Sequence, residues 1–188
     1  MNTHFDSLKH GYENLPVAEA AIKYLGVRNL RDSAQSSMDL TLWPKVAAAT
    51  GAHFADYMGR NSPAQDLIDL GYVPTLARKG VLNYVEGGDE NDTTPATSLG
   101  NSIAWTAAFQ QQVYSVGHSL GLPVINMSFG AGWTAANDWH GNYDKVGDLS
   151  AYADYANAHT YPGVGQLPGA SIKTLNADAR LAAKSRKV

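Results

Sequence analysis

The 188-residue chain contains no cysteine, which excludes a disulfide framework and any thiolate metal site and leaves histidine and carboxylate as its strong ligands. It also lacks a positive balance, since 14 Lys and Arg stand against 17 Asp and Glu for a net charge of −3. The only basic cluster is the short tail Lys184, Arg186 and Lys187, which reads as a solvated helix end, so no nucleic-acid partner is expected. No apolar run approaches the roughly 18 residues of a membrane span, and the first residues lack the basic-then-apolar plan of a secretory leader. No membrane partner is expected, and the compartment is left open. Neither G-x-G-x-x-G nor G-x-x-x-x-G-K-[ST] follows any apolar run, which removes the usual nucleotide loops; no cofactor and no metal is expected. Glutamate is scarce as well, limited to Glu13, Glu19, Glu86 and Glu90.

What is present is enough apolar material, 44% of residues, for one sizeable core, and residues 1–188 read as a single domain. Apolar runs of strand length alternate with longer stretches of helical spacing that tend to end at glycine. Met1-Asn2-Thr3-His4-Phe5 reads as the end of a first strand. Leu15–Leu25 predicts a helix stopped by Gly26, Val27–Arg31 a strand, Leu42–Thr50 a helix closed by Gly51, and Ala52–Met58 a strand. The series continues with a helix over 63–79, a strand over 81–86, a helix over 98–119, a strand over Leu122–Met127, a strand over Asp154–His159 and an alanine-rich helix over Ala170–Lys184. Six strands and five helical stretches, about six βα units, imply an α/β fold with a parallel sheet and right-handed crossovers. Without nucleotide loops to favour an open sheet, the pattern predicts a (β/α)8 TIM-barrel type, incomplete because eight units usually need about 250 residues. Strand edges left open in this way are expected to drive self-association.

The most informative segment is Val81 to Asp92, where an apolar run breaks at Gly87-Gly88 and then presents Asp89, Glu90, Asn91 and Asp92. Two glycines after a strand permit a turn tight enough to aim Glu90 across a strand-end rim, which suits a general acid. A solvated acidic loop or helix cap accounts for the same tetrad equally well. An EF-hand loop is excluded, because the required glycine is missing. Glu86 falls in or at the end of the strand, where an inward carboxylate needs a partner; Arg31, at the end of the second strand, is one candidate, and a surface pair of Arg31 with Asp32 is another. His159 and Tyr161 alternate by two and share a side if the chain is extended. Trp133, with Trp139, His140 and Tyr143, makes the loop after strand five aromatic, suited to sugar rings or to capping the core.

In this order the motifs resemble the clan A glycoside hydrolases, (β/α)8 barrels whose acid/base glutamate follows strand four in an Asn-Glu pair, read here as Asp89-Glu90. Gly87-Gly88 resembles the Gly-Pro turn of those families, and Glu86 stands where they often carry a glutamate. Asn2–Phe5, Val27–Asp32 and Ala158–Pro162 look like their first, second and sixth strands. The resemblance implies a retaining O-glycosidase acting on oligo- or polysaccharide. In it Glu90 protonates the leaving oxygen, Arg31 and Tyr161 orient the nucleophile, and His4, His159 and Asn126 touch sugar. The family nucleophile follows strand seven, and no acidic residue but Asp178 follows His159, so the chain as it stands is expected to lack it. Asp89 in place of asparagine can accept but not donate a hydrogen bond when ionised. Two alternatives remain: a non-catalytic carbohydrate-binding remnant of the same fold, and a metal-dependent barrel hydrolase using His4, Asp6, Glu86 and His159.

Overall fold

A computed structural model of the chain describes residues 1–5, 12–59, 62–91, 103–129, 143–157 and 159. Helix α1 (Leu15–Leu25) begins where the Asn14 side chain accepts from the Val17 N–H, has proline in its first turn, and ends at Gly26 in the left-handed conformation, the conformation that glycine adopts without cost. Strand β1 (Asn29–Asp32) follows, then α2 (Asp39–Thr50), β2 (His53–Met58), α3 (Pro63–Leu70), α4 (Val73–Arg78) and β3 (Leu82–Gly88). The long helix α5 (Ile103–Ser119), the short strand β4 (Val124–Ile125), α6 (Tyr143–Val146) and a 3-10 turn (Ser150–Tyr152) complete the described elements.

The helix expected over 63–79 is two helices, α3 and α4, separated at Gly71 and Tyr72. Pro74 is the cause, since its ring has no N–H to donate and clashes with the carbonyl one turn earlier. The same fault arises inside α2 at Pro44, where the Leu40 carbonyl loses its helical donor. Lys79 repairs it, its Nζ donating to Leu40 O at 2.8 Å. The expected helix over 170–184 and the first residues of that over 98–119 lie outside the described residues.

The four strands form one sheet in the order β1-β2-β3-β4, every pair parallel. Single parallel bridges extend it at both sides: Asn2 to Arg31 next to β1, and Tyr155 to Ile125 next to β4. The segments expected as first and sixth strands therefore adjoin the sheet as bridges rather than full strands. In-register residues of parallel strands point to the same face, and the two faces differ sharply in chemistry. Leu30, Phe54, Val85 and Val124 belong to one apolar cluster with Ile22 of α1, Trp43 and Val46 of α2, Leu76 of α4, and Phe109 and Val113 of α5. Trp43 stacks on Phe54 at 4.2 Å. The opposite face carries Asn29, Arg31, Tyr57, Tyr84 and Glu86 and is where the polar side chains converge. The fold is thus α/β, a parallel sheet with α1 to α5 packed into one apolar layer and Val146 of α6 in a second cluster with Met127, Phe129 and Leu149.

The pairing of β2 with β3 slips twice, so that Asn83 and Gly87 are each left without a partner in β2. The second slip is a bulge at Gly87, which brings Gly88 opposite Met58 and turns the chain beyond it. An ideal Cβ at Gly87 would overlap Gln110 Oε1 of α5 and lie 2.9 Å from Met127 N. No side chain larger than hydrogen fits there. The strand expected over 81–86 consequently runs two residues further, into the glycines.

Candidate functional site

Arg31 occupies the centre of the polar cluster. It lies in β1 opposite Ala55, and Tyr57 is two residues further along β2 on the same face, so the guanidinium leans over the Tyr57 ring at 4.2 Å from its centroid and reaches across β2 to Glu86 of β3. Its Nε donates to Glu86 Oε2 at 2.8 Å and its Nη2 to Glu86 Oε1, a two-point fork of the kind that fixes both partners. Nη2 also donates to Asp89 Oδ1 at 2.8 Å. Burial opposes the guanidinium charge, but the hydrogen bonds and charge of Glu86, and then of Asp89, outweigh it and raise the Arg31 pKa above its ordinary value. Arg31 remains a cation at every working pH.

Two side chains sequence reasoning did not single out complete the inner network. Asn157 Nδ2 donates to Glu86 Oε1 at 2.8 Å and to Asn126 O at 3.1 Å, tying β3 to the segment beyond β4. Ser128 Oγ lies 3.4 Å from Asp89 Oδ1. Asn157 precedes His159 by two residues, so the alternation that places His159 and Tyr161 on one side of an extended segment also selects it. That signal was there to read.

Glu90 stands beyond the bulge. The Asp89 N–H donates to Met58 O at 2.7 Å on one side and the Glu90 N–H to Ser128 O at 3.0 Å on the other, so the turn is fastened to both flanking segments. His159 Nδ1 is 2.9 Å from Glu90 Oε1, while Nε2 faces Arg31 Nη2 at 3.4 Å. A carboxylate accepts, so the proton belongs on Nδ1, which donates to Glu90, and Nε2 is left facing the guanidinium. Glu86, Asp89 and Glu90 are all buried, at 2%, 2% and 7% exposure. Three buried carboxyl groups here share one cationic guanidinium and one imidazole N–H donor.

Of the residues singled out from sequence, Arg31, Glu86, Asp89, Glu90 and His159 meet in one hydrogen-bonded cluster at the carboxyl ends of β1 and β3 and of the segment joined to β4. Asn126 borders it, its carbonyl accepting from Asn157 and its own Oδ1 accepting from the Met127 N–H at 2.9 Å. His4 is exposed, its ring edge-on to Tyr12 at 6.3 Å. Asp6, Trp133 and Tyr161 lie outside the described residues. Asp32 does not pair with Arg31; it is fully buried and accepts from Thr3 Oγ1 and the Phe5 N–H, both at 2.7 Å.

Glu86, Asp89 and His159 each offer a ligand atom, all within 4.8 Å of one another, a set that could hold a metal ion. Arg31 Nη2, bonded to both carboxylates, already supplies positive charge at that point, and a cation entering there would have to displace it. No protein-family model matches the sequence, and a search of curated proteins finds no match.

Proposed function

We propose that this cluster is the acid/base half of a retaining O-glycoside hydrolase site, built on a (β/α)8-type barrel of which this chain supplies about six units. The observation that carries the reading is Glu90 at the carboxyl end of a parallel strand, among Arg31, Glu86, Asp89 and His159. Two features of the fold support the barrel. Strands that follow one another in sequence order with right-handed crossovers put the connecting helices on the same side, and α1 to α5 share one apolar layer. The remaining polar face is the one that would line a barrel interior, with catalytic groups at the carboxyl ends of its strands.

In this reading His159 Nδ1 holds Oε1 of Glu90 and so orients the carboxyl group that meets the glycosidic oxygen. Glu90 protonates that oxygen as the bond breaks, then takes a proton from the incoming water in the second step. Arg31 holds Glu86 and Asp89 in place, so that both accept from sugar hydroxyls. The attacking carboxylate of a retaining enzyme sits about 5–5.5 Å from the acid. Glu86 and Asp89 are poorly suited to that role, because both are already bound to Arg31. That occupation favours, as a second reading, a saccharide-binding site that does not turn over.

An external nucleophile separates the two. Reducing-sugar release is measured from a panel of oligosaccharides with the chain alone and with added azide or formate, small anions that can occupy the place of a missing carboxylate. Release that depends on the anion and is lost in Glu90→Gln supports the hydrolase. Saccharide binding by calorimetry without release under any condition supports the binding reading. Neither release nor binding contradicts both.

A further inference from the structure

Among the described residues, Glu90 is the only non-glycine residue with a left-handed backbone, at φ +47°. A residue with a β-carbon adopts that conformation at a cost and keeps it only where its surroundings over-determine it. The bonds from the Asp89 and Glu90 amides to Met58 and Ser128 fix the entry to the turn. They leave the exit at residue 91 unset.

Asn91 sets the exit. It is buried, at 4% exposure, and its carboxamide lies in a slot created by two missing side chains. An ideal Cβ at Gly88 would be 2.6 Å from Asn91 Nδ2, and one at Gly59 would be 2.9 Å from Asn91 Oδ1 and 3.0 Å from Gly88 Cα. The third wall is Thr106 in the first turn of α5, with Asn91 Nδ2 3.4 Å from its Oγ1. Glycines at the ends of two adjacent strands and a small hydroxyl on a helix thus enclose one side chain, immediately after the strained residue.

We propose that Asn91 is a positioning residue, a wedge between Gly59, Gly88 and Thr106 that holds Glu90 left-handed and so aims its carboxylate at His159 Nδ1. The catalytic meaning of the wedge rests on reading Glu90 as the proton-transferring carboxyl, but the geometry is testable without any sugar. A side chain that merely filled space would affect stability and leave the Glu90–His159 hydrogen bond alone.

The test is the side-chain 15N spectrum of His159 in the full chain, assigned by its disappearance in His159→Gln, with Glu90→Ala as the reference for a lost partner. The unmodified protein should show a protonated, slowly exchanging Nδ1 and nuclear Overhauser contacts from the Asn91 amide to the Gly88 α-protons; their absence overturns the proposal. Asn91→Ala should keep a folded amide spectrum and lose the Nδ1 signal, as Glu90→Ala does. A folded Asn91→Ala with an unchanged His159 signal overturns it. Gly88→Ala alone should lose the signal too, because its methyl meets the carboxamide, while Gly88→Ala with Asn91→Ala should recover it by refilling the slot. If Asn91→Ala does not fold, the paired variant decides: recovery supports the wedge, and an absent signal or an unfolded protein overturns it. Failure of the hydrolase assay would leave every one of these outcomes unaltered, so the two readings fail separately.

Discussion

Arg31 brings a positive charge to the point where Glu86, Asp89 and the Tyr57 ring meet, and each partner uses a different part of the same flat group. Removing it strands two buried carboxylates. Arg31→Met should therefore cost about 3–5 kcal/mol of stability at neutral pH, the range found when one member of a buried pair is deleted. Arg31→Lys should fall between, since an ammonium keeps the charge but not the fork. Urea unfolding measures both, and a loss below about 1 kcal/mol for Arg31→Met, the value of an exposed pair, would contradict the central role given to it. Asp56 is the opposite case. It is fully buried on the apolar face, and burial raises its carboxyl well above the usual range; the Ala34 N–H lowers it, and Asp32, Asp39 and Asp69 raise it further. The folded protein then holds a proton there that the unfolded chain releases near the ordinary aspartate value, so this contribution to stability is full at acid pH and is lost as pH rises towards the folded pKa. Asp56→Asn should abolish that decline and be more stable than the parent at neutral pH. Unfolding curves from pH 4 to 8 with the same slope in both proteins would contradict it.

Among the elements, helix ends were the most legible feature of the sequence. Gly26 and Gly51 adopt the left-handed conformation that stops α1 and α2, because a helix stop is local chemistry that the residue type announces directly. The division of α3 from α4 was legible in Pro74 but was outweighed by apolar spacing that runs on across it. What periodicity could not convey was the bulge in β3. Gly87 reads as a simple turn glycine, and its requirement comes from Gln110, 23 positions later on another element. Gly87→Ala should cost about 1–3 kcal/mol or more, the price of forcing atoms into a packed interior. Gln110→Ala should return only part of it, since Met127 N remains 2.9 Å from the new Cβ. Thermal unfolding of the single and double variants measures this, and a Gly87→Ala protein as stable as the parent would contradict the packing. The cluster itself was half legible: strand ends nominated Arg31, Glu86, Asp89, Glu90 and His159, whereas Tyr57, Ser128 and Asn91 were missed because only register and crossing geometry bring them in.

At the scale of the molecule, strand order and helix placement combine into one directional arrangement. Sequential parallel strands bury leucine, phenylalanine and valine under helices on one face and collect charge on the other, so the apolar layer provides the rigidity that holds three carboxyl groups, a guanidinium and an imidazole together. Sequence alternation of strand and helix conveyed the α/β class and the parallel sheet, since period and length are read directly from apolar spacing. That the outer segments join the sheet only through single bridges, at Asn2 and Tyr155, is set by packing between distant parts of the chain, which spacing does not encode. What the polar face holds decides the function of the protein. A crystal structure of Glu90→Gln grown with a mixture of oligosaccharides tests this most directly: a glycosidic oxygen within hydrogen-bonding reach of residue 90, with sugar hydroxyls on Glu86 and Asp89, is the predicted result. Saccharide bound only elsewhere on the protein, or none bound at all, would contradict it.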